Sequence, residues 1–303
     1  MRFLTFKDSQ GKTSAGVLLQ DGKWVLDLSH SSCQVILETA SSSVLNFVQD
    51  GLEVWQKRIS IYLAQNQLHP EALRALDGLH LCAPIPIPGR VIGAAYNFTD
   101  ALDERSMPYP NEPVIFVRSG NTVIGPNDPI LIPPDVGNVG YEAELAVVMG
   151  KRALFIEPNN AMNYVAGYMA HNDISGSGMI KQDNGNFVRG KNMPASAPLG
   201  PFLVTADEVE NPYTIQIKLD VDGRVLQDGT TGTMLFKIAE LISYISKKMP
   251  LEPGDIIATG TPAGLAMVHK PTAWLKPGQT VRVELEGLGV LTNPIKEGVP
   301  FLE

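Results

Sequence analysis

The alternation of apolar and polar stretches along the chain predicts a protein made mainly of short β-strands. From residue 113 onward, short runs rich in Val, Ile and Leu are separated by turns that contain Gly and Pro. These runs are VIFV, ILIP, ELAVVMG, YVAGYMA, PFLVT, TIQIKLDVDG, GDIIATG, TVRVELEG and GVLTN. Residues 233–249 are the exception, because their apolar side chains recur at helical spacing and predict one amphipathic helix.

Residues 1–82 predict a small unit of strands followed by a helix. RFLTF, AGVLL and WVLDL are separated by the polar turns DSQGK and QDGK, which is typical of strands. Residues 44–68 carry apolar residues at helical spacing, so we expect a helix whose apolar stripe enters a core. The prolines of CAPIPIPGR exclude a helix or a central strand from residues 82–90. We therefore predict two domains, residues 1–82 and 83–303, in a predominantly β (α+β) protein.

The segment after this boundary is typical of a loop that covers a site. VIGAAY, residues 91–96, predicts a strand, and Thr99 with Asp100 are suited to cap a short helix over residues 101–105. The polar loop MPYPNEP follows before the next strand. A short helix within a polar loop predicts a lid.

Glu142 and Glu144 are the candidate centre of the chemistry. They lie two residues apart in VGYEAELAVVMGK, so on a strand both side chains point to the same face. Neighbouring carboxylates repel each other when they are buried, and Mg²⁺ or Mn²⁺ removes that repulsion. Asp173, after the strand-like run VAGYMAHN, can supply a third oxygen ligand. The alternative is two exposed strand carboxylates, but the apolar residues around them favour a strand that is buried on both sides.

Composition limits the partners. A net charge of −8 with no basic stripe argues against nucleic acid and anionic membranes, so a small anionic substrate would need local positive charge. Cys33 and Cys82 have no metal-type spacing and are expected to be buried thiols of a reducing compartment, although a disulfide stays open. The chain shows no export signal and no membrane-spanning run, so we expect a cytoplasmic protein.

Several familiar chemistries lack their motifs. The chain has no phosphate-binding G-x-x-x-x-G-K-[ST], no G-x-S-x-G nucleophile elbow, and neither C-x-x-C nor H-E-x-x-H, so zinc of the usual kinds is not expected. The five histidines are scattered at 30, 69, 80, 171 and 269. Only His171 lies near a motif, two residues before Asp173, where a ligand or base role and a structural role are both open.

Five blocks of the sequence resemble the fumarylacetoacetate hydrolase superfamily, in the order typical of it. They are GYEAELAVVMGK, GYMAHNDIS, RGKNMPASAPLGP, QDGTTGTMLF and LEPGDIIATGTPAGL, and the resemblance covers roughly residues 84–295. It implies a mixed β-roll or β-sandwich with a small N-terminal α+β domain, and assembly as a homodimer. It also implies Mg²⁺ or Mn²⁺ held by three carboxylates, which are Glu142, Glu144 and Asp173.

The resemblance also assigns roles outside the metal ligands. Lys191, in RGK, matches a catalytic lysine that binds anionic oxygens of the substrate. Thr261, in TGTPAG, matches a catalytic and substrate-binding threonine, where consecutive backbone amides can hold a carboxylate. Arg118, after VIFV, is a further candidate for binding the same anion.

The lid departs from the family pattern. Acylpyruvate hydrolases of the family commonly carry N-Y-x-x-H-x-x-E, in which a His–Glu pair activates water. Here Asn97 and Glu104 match the first and last positions, as a substrate-binding and a catalytic residue, but Ala101 replaces the histidine. The usual S-A-R-D after the aspartate is also replaced, by SGSG. Loss of a general base costs about 10²–10⁴-fold in such a step, unless Glu104 or Asp100 takes the proton.

Two enzymatic hypotheses and one binding hypothesis result. The first is hydrolysis of a C–C bond in a small β-diketo acid, fumarylpyruvate- or acylpyruvate-like, through a metal-held enolate, as in the breakdown of aromatic compounds. The second is isomerase, tautomerase or decarboxylase work on a 2-oxo dicarboxylic acid, as in 2-hydroxyhepta-2,4-diene-1,7-dioate isomerases. These reactions need no water nucleophile. The third is a protein that binds oxo acids without turnover.

Overall fold

The computed structural model describes residues 1–8, 10–33, 43–65 and 68–300, and shows the predominantly β architecture that the sequence predicts. The strands are β1 (Arg2–Lys7), β2 (Thr13–Leu18), β3 (Trp24–Asp27), β4 (Leu73–Ala75), β5 (His80–Cys82), β6 (Arg90–Ala95), β7 (Val114–Ser119), β8 (Val123–Ile124), β9 (Ile130–Ile132), β10 (Val139–Gly140), β11 (Ala143–Met149), β12 (Val165–Asn172), β13 (Ser175–Gly176), β14 (Ala197–Thr205), β15 (Gln216–Val221), β16 (Arg224–Thr230), β17 (Ile256–Ala258), β18 (Thr280–Leu285) and β19 (Gly289–Glu297). The helices are α1 (Val44–Gln49), α2 (Leu52–Ala64), α3 (Thr99–Glu104), α4 (Pro158–Ala161), α5 (Ser177–Gln182), α6 (Phe187–Gly190) and α7 (Ile238–Ser246).

The main sheet runs through both halves of the chain. Within the described residues its path is β4-β3-β2-β1-β14-β12-β11-β17-β6-β7, with β5 on β1 and β8 on β14. Strand β11 lies between β12 and β17, and each of its residues is buried, as the sequence predicts. A strand covered on both faces is a rigid support for the side chains at its ends.

A second sheet and a small strand pair complete the fold. Strands β16-β15-β18-β19-β9 form the second sheet, and its inward residues share one apolar core with those of β11 and β12. Strand β10 pairs with β13, so that Gly140 lies opposite Ser175. This short pairing brings the chain just before Glu142 against the chain just after Asp173.

Two predicted helices are shorter than expected. Residues 44–68 contain two helices, because Gly51 adopts φ +97 between α1 and α2; residues 66 and 67 lie outside the described ranges. The predicted helix at 233–249 is observed only as Ile238–Ser246. Residues before it are drawn away from helical geometry, because Asn97 accepts hydrogen bonds from the amides of Leu235 (2.7 Å) and Phe236 (2.8 Å).

Helix α3 exists, but its first side chains do not cap it. Phe98 is the residue before the helix, whereas Thr99 and Asp100 form its first turn. The Thr99 hydroxyl donates to the Thr233 carbonyl at 3.2 Å, and the Asp100 carboxylate accepts from the Ala263 amide at 3.1 Å. Both side chains therefore fasten α3 to neighbouring loops.

Residues 1–82 share the main sheet with the rest of the chain. Strand β1 pairs antiparallel with β14, with Arg2 opposite Val204, and the Thr5 hydroxyl donates to the Pro84 carbonyl at 2.8 Å. The division at residue 82 stays a prediction. In the described ranges, no helix is both long and apolar enough to cross a membrane.

Candidate active site

The pairing of β11 with β12 brings the predicted carboxylates together. Glu142 comes directly before β11 and Asp173 directly after β12, and the two strands are antiparallel with Ala143 opposite Asn172. The Asp173 amide donates to the Glu142 carbonyl at 2.8 Å, and the Glu142 amide donates to Asn172 Oδ1 at 3.1 Å. Residues that are far apart in sequence are thus fixed next to each other by strand register.

Glu142, Glu144 and Asp173 form one compact cluster, called the carboxylate cluster below. Each offers a carboxylate oxygen, and these three oxygens lie within 4.8 Å of one another. Glu144 and Asp173 are buried, with 2% and 1% of their surface exposed, while Glu142 is half-buried. The cluster is oriented by two more donors: the Gly260 amide to Glu144 at 2.9 Å and the Ser175 hydroxyl to Glu142 at 3.2 Å.

Two buried cations face the carboxylate cluster. Lys191 follows helix α6, and its Nζ lies 2.7 Å from Glu142 Oε2 and 2.6 Å from Asp173 Oδ2. Arg118, at the end of β7, pairs with the other oxygen of Asp173 and also donates to the Ser196 carbonyl at 2.7 Å and its hydroxyl at 2.6 Å. Arg118 is fully buried and belongs to the support of Asp173 rather than to the cavity wall.

The electrostatic balance of this cluster leaves it short of positive charge. Burial, together with the charges of Asp173 and Glu142, raises the pKa of Glu144 well above its usual range. Burial also raises the pKa of Glu142, against the opposing effect of Lys191. For Asp173, burial acts in the same direction, but Lys191 and Arg118 outweigh it and hold its pKa below the usual range.

The carboxylate cluster fits a hard divalent cation. Its donors are all carboxylate oxygens, which Mg²⁺ and Mn²⁺ prefer. With all three carboxylates ionised, the cluster carries one negative charge more than Lys191 and Arg118 supply. A bound divalent cation would turn that deficit into a net positive charge, which suits an anionic substrate. The residues that would hold it are the three predicted from the sequence.

Thr261 is fixed by a glutamine that the sequence interpretation missed. The Thr261 hydroxyl donates to the Ala143 carbonyl at 2.8 Å and accepts from Gln227 Nε2 at 2.8 Å. Gln227 Oε1 in turn accepts from the Ala143 amide at 3.0 Å, so it ties the TGTPAG loop to β11. Its position in the block QDGTTGTMLF was the available signal, because a buried glutamine needs partners.

The acidic side chains of α3 are bonded to the same loop. Glu104 Oε2 accepts from the Gly264 amide at 2.9 Å, as Asp100 Oδ2 does from the Ala263 amide. Neither residue is among those that line the cavity described below. Asn97 is buried, and its side chain donates to the Phe236 carbonyl at 3.0 Å and to the Thr259 carbonyl at 2.8 Å.

A cavity of about 230 Å³ opens beside the carboxylate cluster. Glu142, Glu144, Lys191 and Thr261 contribute to one side of it, and Asn97 and Ala101 to the side of the lid. Its remaining wall carries side chains that the sequence interpretation did not single out, namely Tyr96, Arg105, Phe116, Lys181 and Phe187. No local motif marks them, because they come from five separate places: the ends of β6 and α3, strand β7, and helices α5 and α6.

The aromatic wall of this cavity is continuous. Phe116 and Phe187 have ring centroids 5.0 Å apart, and Tyr96 and Phe187 are 6.3 Å apart. Lys191 Nζ lies 5.1 Å from the centre of the Phe116 ring. Tyr96 adopts φ +59, an uncommon backbone conformation for a residue with a side chain, directly between β6 and the lid.

His171 is a structural residue in this fold. It is fully buried, its Nδ1 lies 2.8 Å from the Pro198 carbonyl, and it is not part of the cavity wall. Burial, with Arg118 and Lys191 nearby, lowers its pKa to about 4 against the opposing effect of Asp173. A neutral imidazole that donates from Nδ1 accounts for this environment.

The fold and the carboxylate cluster are those of a β-rich class of enzymes that typically bind a divalent metal. The family model "Fumarylacetoacetate (FAA) hydrolase C-terminal" matches residues 90–296. This chain belongs to the fumarylacetoacetate hydrolase family, as the sequence indicates.

Similar proteins in this family carry different activity names. "Oxaloacetate tautomerase fahd2, mitochondrial" from Xenopus laevis is 35% identical over 297 residues, which cover 97% of this chain and 90% of that protein. The structure of a fumarylacetoacetate hydrolase from Exiguobacterium antarcticum has a TM-score of 0.82 at 30% identity, covering 98% of this chain and all of that one (100%). A 2-hydroxyhepta-2,4-diene-1,7-dioate isomerase from Mycobacterium marinum has a TM-score of 0.73 at 26% identity, with 98% of each chain covered.

Proposed function

We propose that this protein is a divalent-metal-dependent tautomerase that interconverts the keto and enol forms of a small 2-oxo dicarboxylic acid such as oxaloacetate. The observation that carries the proposal is the lid. Ala101 lies in the cavity wall at the position where acylpyruvate hydrolases of the family commonly carry a histidine, and the lid carboxylates of Asp100 and Glu104 are bonded to backbone amides. A keto–enol exchange moves one proton between the enol oxygen and the neighbouring carbon through an enolate, with solvent as the proton donor and acceptor. The enolate has to be stabilised, but no water has to attack a carbonyl carbon.

The cluster residues are suited to stabilising an enolate. Bound Mg²⁺ or Mn²⁺ would polarise the 2-oxo group and its neighbouring carboxylate, which lowers the cost of forming the enolate. Lys191, whose pKa Asp173 and Glu142 raise against the effect of burial, stays protonated and can donate to the enolate oxygen. Burial of these groups strengthens each interaction, because water competes less with the substrate.

The Thr261 loop is suited to holding the first carboxylate of the substrate. The amides of its neighbours Gly260, Ala263 and Gly264 are all bonded to carboxylates of the protein. Among the described residues, the amide of Thr261 itself has no hydrogen-bond partner, while Thr261 lies in the cavity wall. This amide is the donor that we assign to the substrate.

Arg105 supports a dicarboxylic substrate. Its Nε donates to the Ala101 carbonyl at 2.9 Å, and its guanidinium lies over the Tyr96 ring at 5.8 Å, so its orientation is fixed. Its two terminal nitrogens have no partner within the described part of the chain, and Arg105 lies in the cavity wall. A carboxylate at the far end of the substrate would pair with these nitrogens. The relative from Xenopus laevis is named an oxaloacetate tautomerase, and oxaloacetate is a 2-oxo dicarboxylic acid.

The second candidate is hydrolysis of an acylpyruvate. It is favoured by the fumarylacetoacetate hydrolase from Exiguobacterium antarcticum, which is 30% identical and superposes over nearly the whole chain. This reaction would require Glu104 or Asp100 to leave its backbone partner and activate water. The cytoplasmic location and the homodimer stay predictions, and the Xenopus laevis relative is named as mitochondrial.

The deciding experiment follows enol and keto forms and products together. Enol-oxaloacetate is added to the protein with Mg²⁺, with Mn²⁺ and with chelator, while its ultraviolet absorbance, pyruvate and CO₂ are measured; an acylpyruvate panel is run beside it. We expect metal-dependent loss of the enol band without CO₂ release, and no pyruvate from acylpyruvates. Formation of pyruvate from an acylpyruvate would show that the protein is a hydrolase and not a tautomerase. Release of CO₂ from oxaloacetate would show that it is a decarboxylase. Binding without any turnover would establish the non-catalytic alternative.

A further inference from the structure

We infer that His30, His69 and Glu71 form a second metal site, for Zn²⁺, in the N-terminal part of the chain. Their possible ligand atoms, imidazole nitrogens and a carboxylate oxygen, lie within 4.8 Å of one another. The two imidazole rings are stacked, with centroids 5.5 Å apart. We call these three residues the histidine cluster. It is separate from the carboxylate cluster and from the function proposed for it.

The pairing of β3 with β4 brings the two segments of the histidine cluster together. Strands β3 and β4 are antiparallel, with Leu26 opposite Leu73 and Val25 opposite Arg74. His30 lies in the turn that follows β3, and a short 3-10 turn, Pro70–Ala72, joins His69 to β4. The two rings are neighbours across these turns, although they are 39 positions apart in the sequence. This is why no zinc spacing is visible in the sequence.

Arg74 fixes the two ligand-bearing segments to each other. Its guanidinium donates to Asp27 Oδ2 at 3.1 Å, on the segment that leads to His30. It also donates to the Glu71 carbonyl at 2.7 Å, on the segment that carries the other two ligands. The Ala72 amide donates to the His69 carbonyl at 2.9 Å, which closes a tight turn around Glu71. The backbone that carries the ligands is thus set before any metal arrives.

The His30 ring is held by Ser32. Nδ1 of His30 lies 2.8 Å from the Ser32 hydroxyl and accepts from the Ser32 amide at 3.3 Å. Zn²⁺ at Nε2 requires the tautomer whose proton is on Nδ1, and this proton is then donated to the Ser32 hydroxyl oxygen in place of the amide contact. A hydrogen bond to the other ring nitrogen is the usual way in which proteins orient a ligating histidine. His69 and Glu71 are exposed and can adjust their rotamers to the metal.

The donor set selects the class of metal. Two imidazoles and one carboxylate suit Zn²⁺, which binds nitrogen and oxygen ligands in tetrahedral geometry and can take water as its fourth ligand. The carboxylate cluster contains only oxygen donors and suits Mg²⁺ or Mn²⁺ instead. The protein would therefore hold two metals of different chemical character. At the histidine cluster, Zn²⁺ would cross-link the segment before β4 to the turn after β3.

The test measures bound Zn²⁺ per chain by equilibrium dialysis on the full-length protein at neutral pH. The variants are His30→Asn with His69→Asn, Glu71→Gln alone, and His80→Asn as a matched control, because His80 is an exposed histidine on β5. We expect the double variant to bind one Zn²⁺ fewer than the unchanged protein, and His80→Asn to bind the same number. Glu71→Gln should lower the Zn²⁺ affinity of the histidine cluster about tenfold or more.

A second readout separates binding from folding. Zn²⁺ should raise the melting temperature of the unchanged protein and of His80→Asn, but raise it less in the double variant, whose circular dichroism should match the unchanged protein. The inference is overturned if the double variant binds as much Zn²⁺ as the unchanged protein, or if His80→Asn loses the same equivalent. Should the double variant fail to fold, Glu71→Gln decides, because Glu71 is exposed, and unaltered Zn²⁺ affinity there overturns the inference.

Discussion

Lys191 and Asp173 form an ion pair that is almost entirely closed to water. Nζ and Oδ2 are 2.6 Å apart, and the two side chains are 3% and 1% exposed. Asp173 also pairs with Arg118, so both of its oxygens are held by cations. This leaves Asp173 ionised and immobile, which is the state that a metal ligand requires.

Lys191→Met should destabilise the protein and abolish activity. Removing one partner of a buried pair leaves carboxylates without compensation, which costs about 3–5 kcal/mol. Urea unfolding in chelator measures this cost, and Mg²⁺ or Mn²⁺ should recover part of it by replacing the lost positive charge. Lys181→Met, an exposed lysine at the cavity, is the control for stability. An unaltered free energy of unfolding in Lys191→Met would contradict this account of the pair.

Glu144→Gln should separate stability from function. Burial and two neighbouring carboxylates disfavour its charge, so the amide should not lower the free energy of unfolding in the absence of metal. Gln can still accept from the Gly260 amide. Because a proposed metal ligand is lost, turnover should fall at least about 100-fold. The affinity for Mn²⁺, measured by calorimetry, should also fall at least about 100-fold. Glu53→Gln, which is exposed, is the control; Mn²⁺ affinity equal to that of the control would remove Glu144 from the metal site.

Glu104→Gln should distinguish tautomerase from hydrolase chemistry. Glutamine can still accept a hydrogen bond from the Gly264 amide, so the lid anchor is kept. For the proposed tautomerase, kcat should stay within a few fold of the unchanged protein. If Glu104 is a general base, kcat should instead fall about 10²–10⁴-fold, with a flattened pH profile. That result would favour hydrolysis.

Arg105→Gln should change substrate preference. A charge-assisted hydrogen bond contributes about 1.5–3 kcal/mol, so kcat/KM for oxaloacetate should fall about 10- to 100-fold. For 2,4-dioxopentanoate, which has no second carboxylate, enol–keto exchange should change little. Lys181→Gln is the comparison, because Lys181 also lies in the cavity wall. Equal losses on both substrates would mean that Arg105 supports the lid rather than the distal carboxylate.

His171 should make the protein less stable below about pH 6.5. Its pKa is about 4 in the folded chain and about 6.5 in an unfolded one, so the unfolded chain binds more protons between these values. The stabilisation is complete above pH 6.5 and is lost by about 1.4 kcal/mol per pH unit as pH falls towards 4. In His171→Asn, whose amide can donate to Pro198, this contribution to the slope should be absent, so the variant's free energy of unfolding should fall less steeply as pH decreases than that of the unchanged protein. Identical slopes would contradict a buried neutral imidazole.

The strands were predictable because their signal is local. Residues 145–149 are apolar on both faces, as expected of a strand in the middle of a covered sheet, and they belong to β11. The helix predicted at 233–249 was too long because Asn97, more than 130 positions away, holds Leu235 and Phe236 by hydrogen bonds. No sequence periodicity contains such a tertiary contact.

The three carboxylates proposed as metal ligands could be singled out from the sequence, but their neighbours could not. Glu142 and Glu144 share a strand face, so spacing alone brings them together. The roles of Gln227 and Arg105 depend on which loops meet at the cavity. The histidine cluster depends on the pairing of β3 with β4 and on the turns beside these strands. These contacts are set by the tertiary structure, and local sequence patterns contain no information about them.

The pairing of β1 with β14 has a consequence for any attempt to shorten the protein. A fragment starting at residue 83 would uncover the backbone donors and acceptors of the β14 edge, next to the strand that leads to Asp173. Bare edges of this kind recruit strands from other molecules. A soluble catalytic fragment would therefore need a replacement for β1, supplied by a fused peptide or by a charged, proline-containing β14 edge.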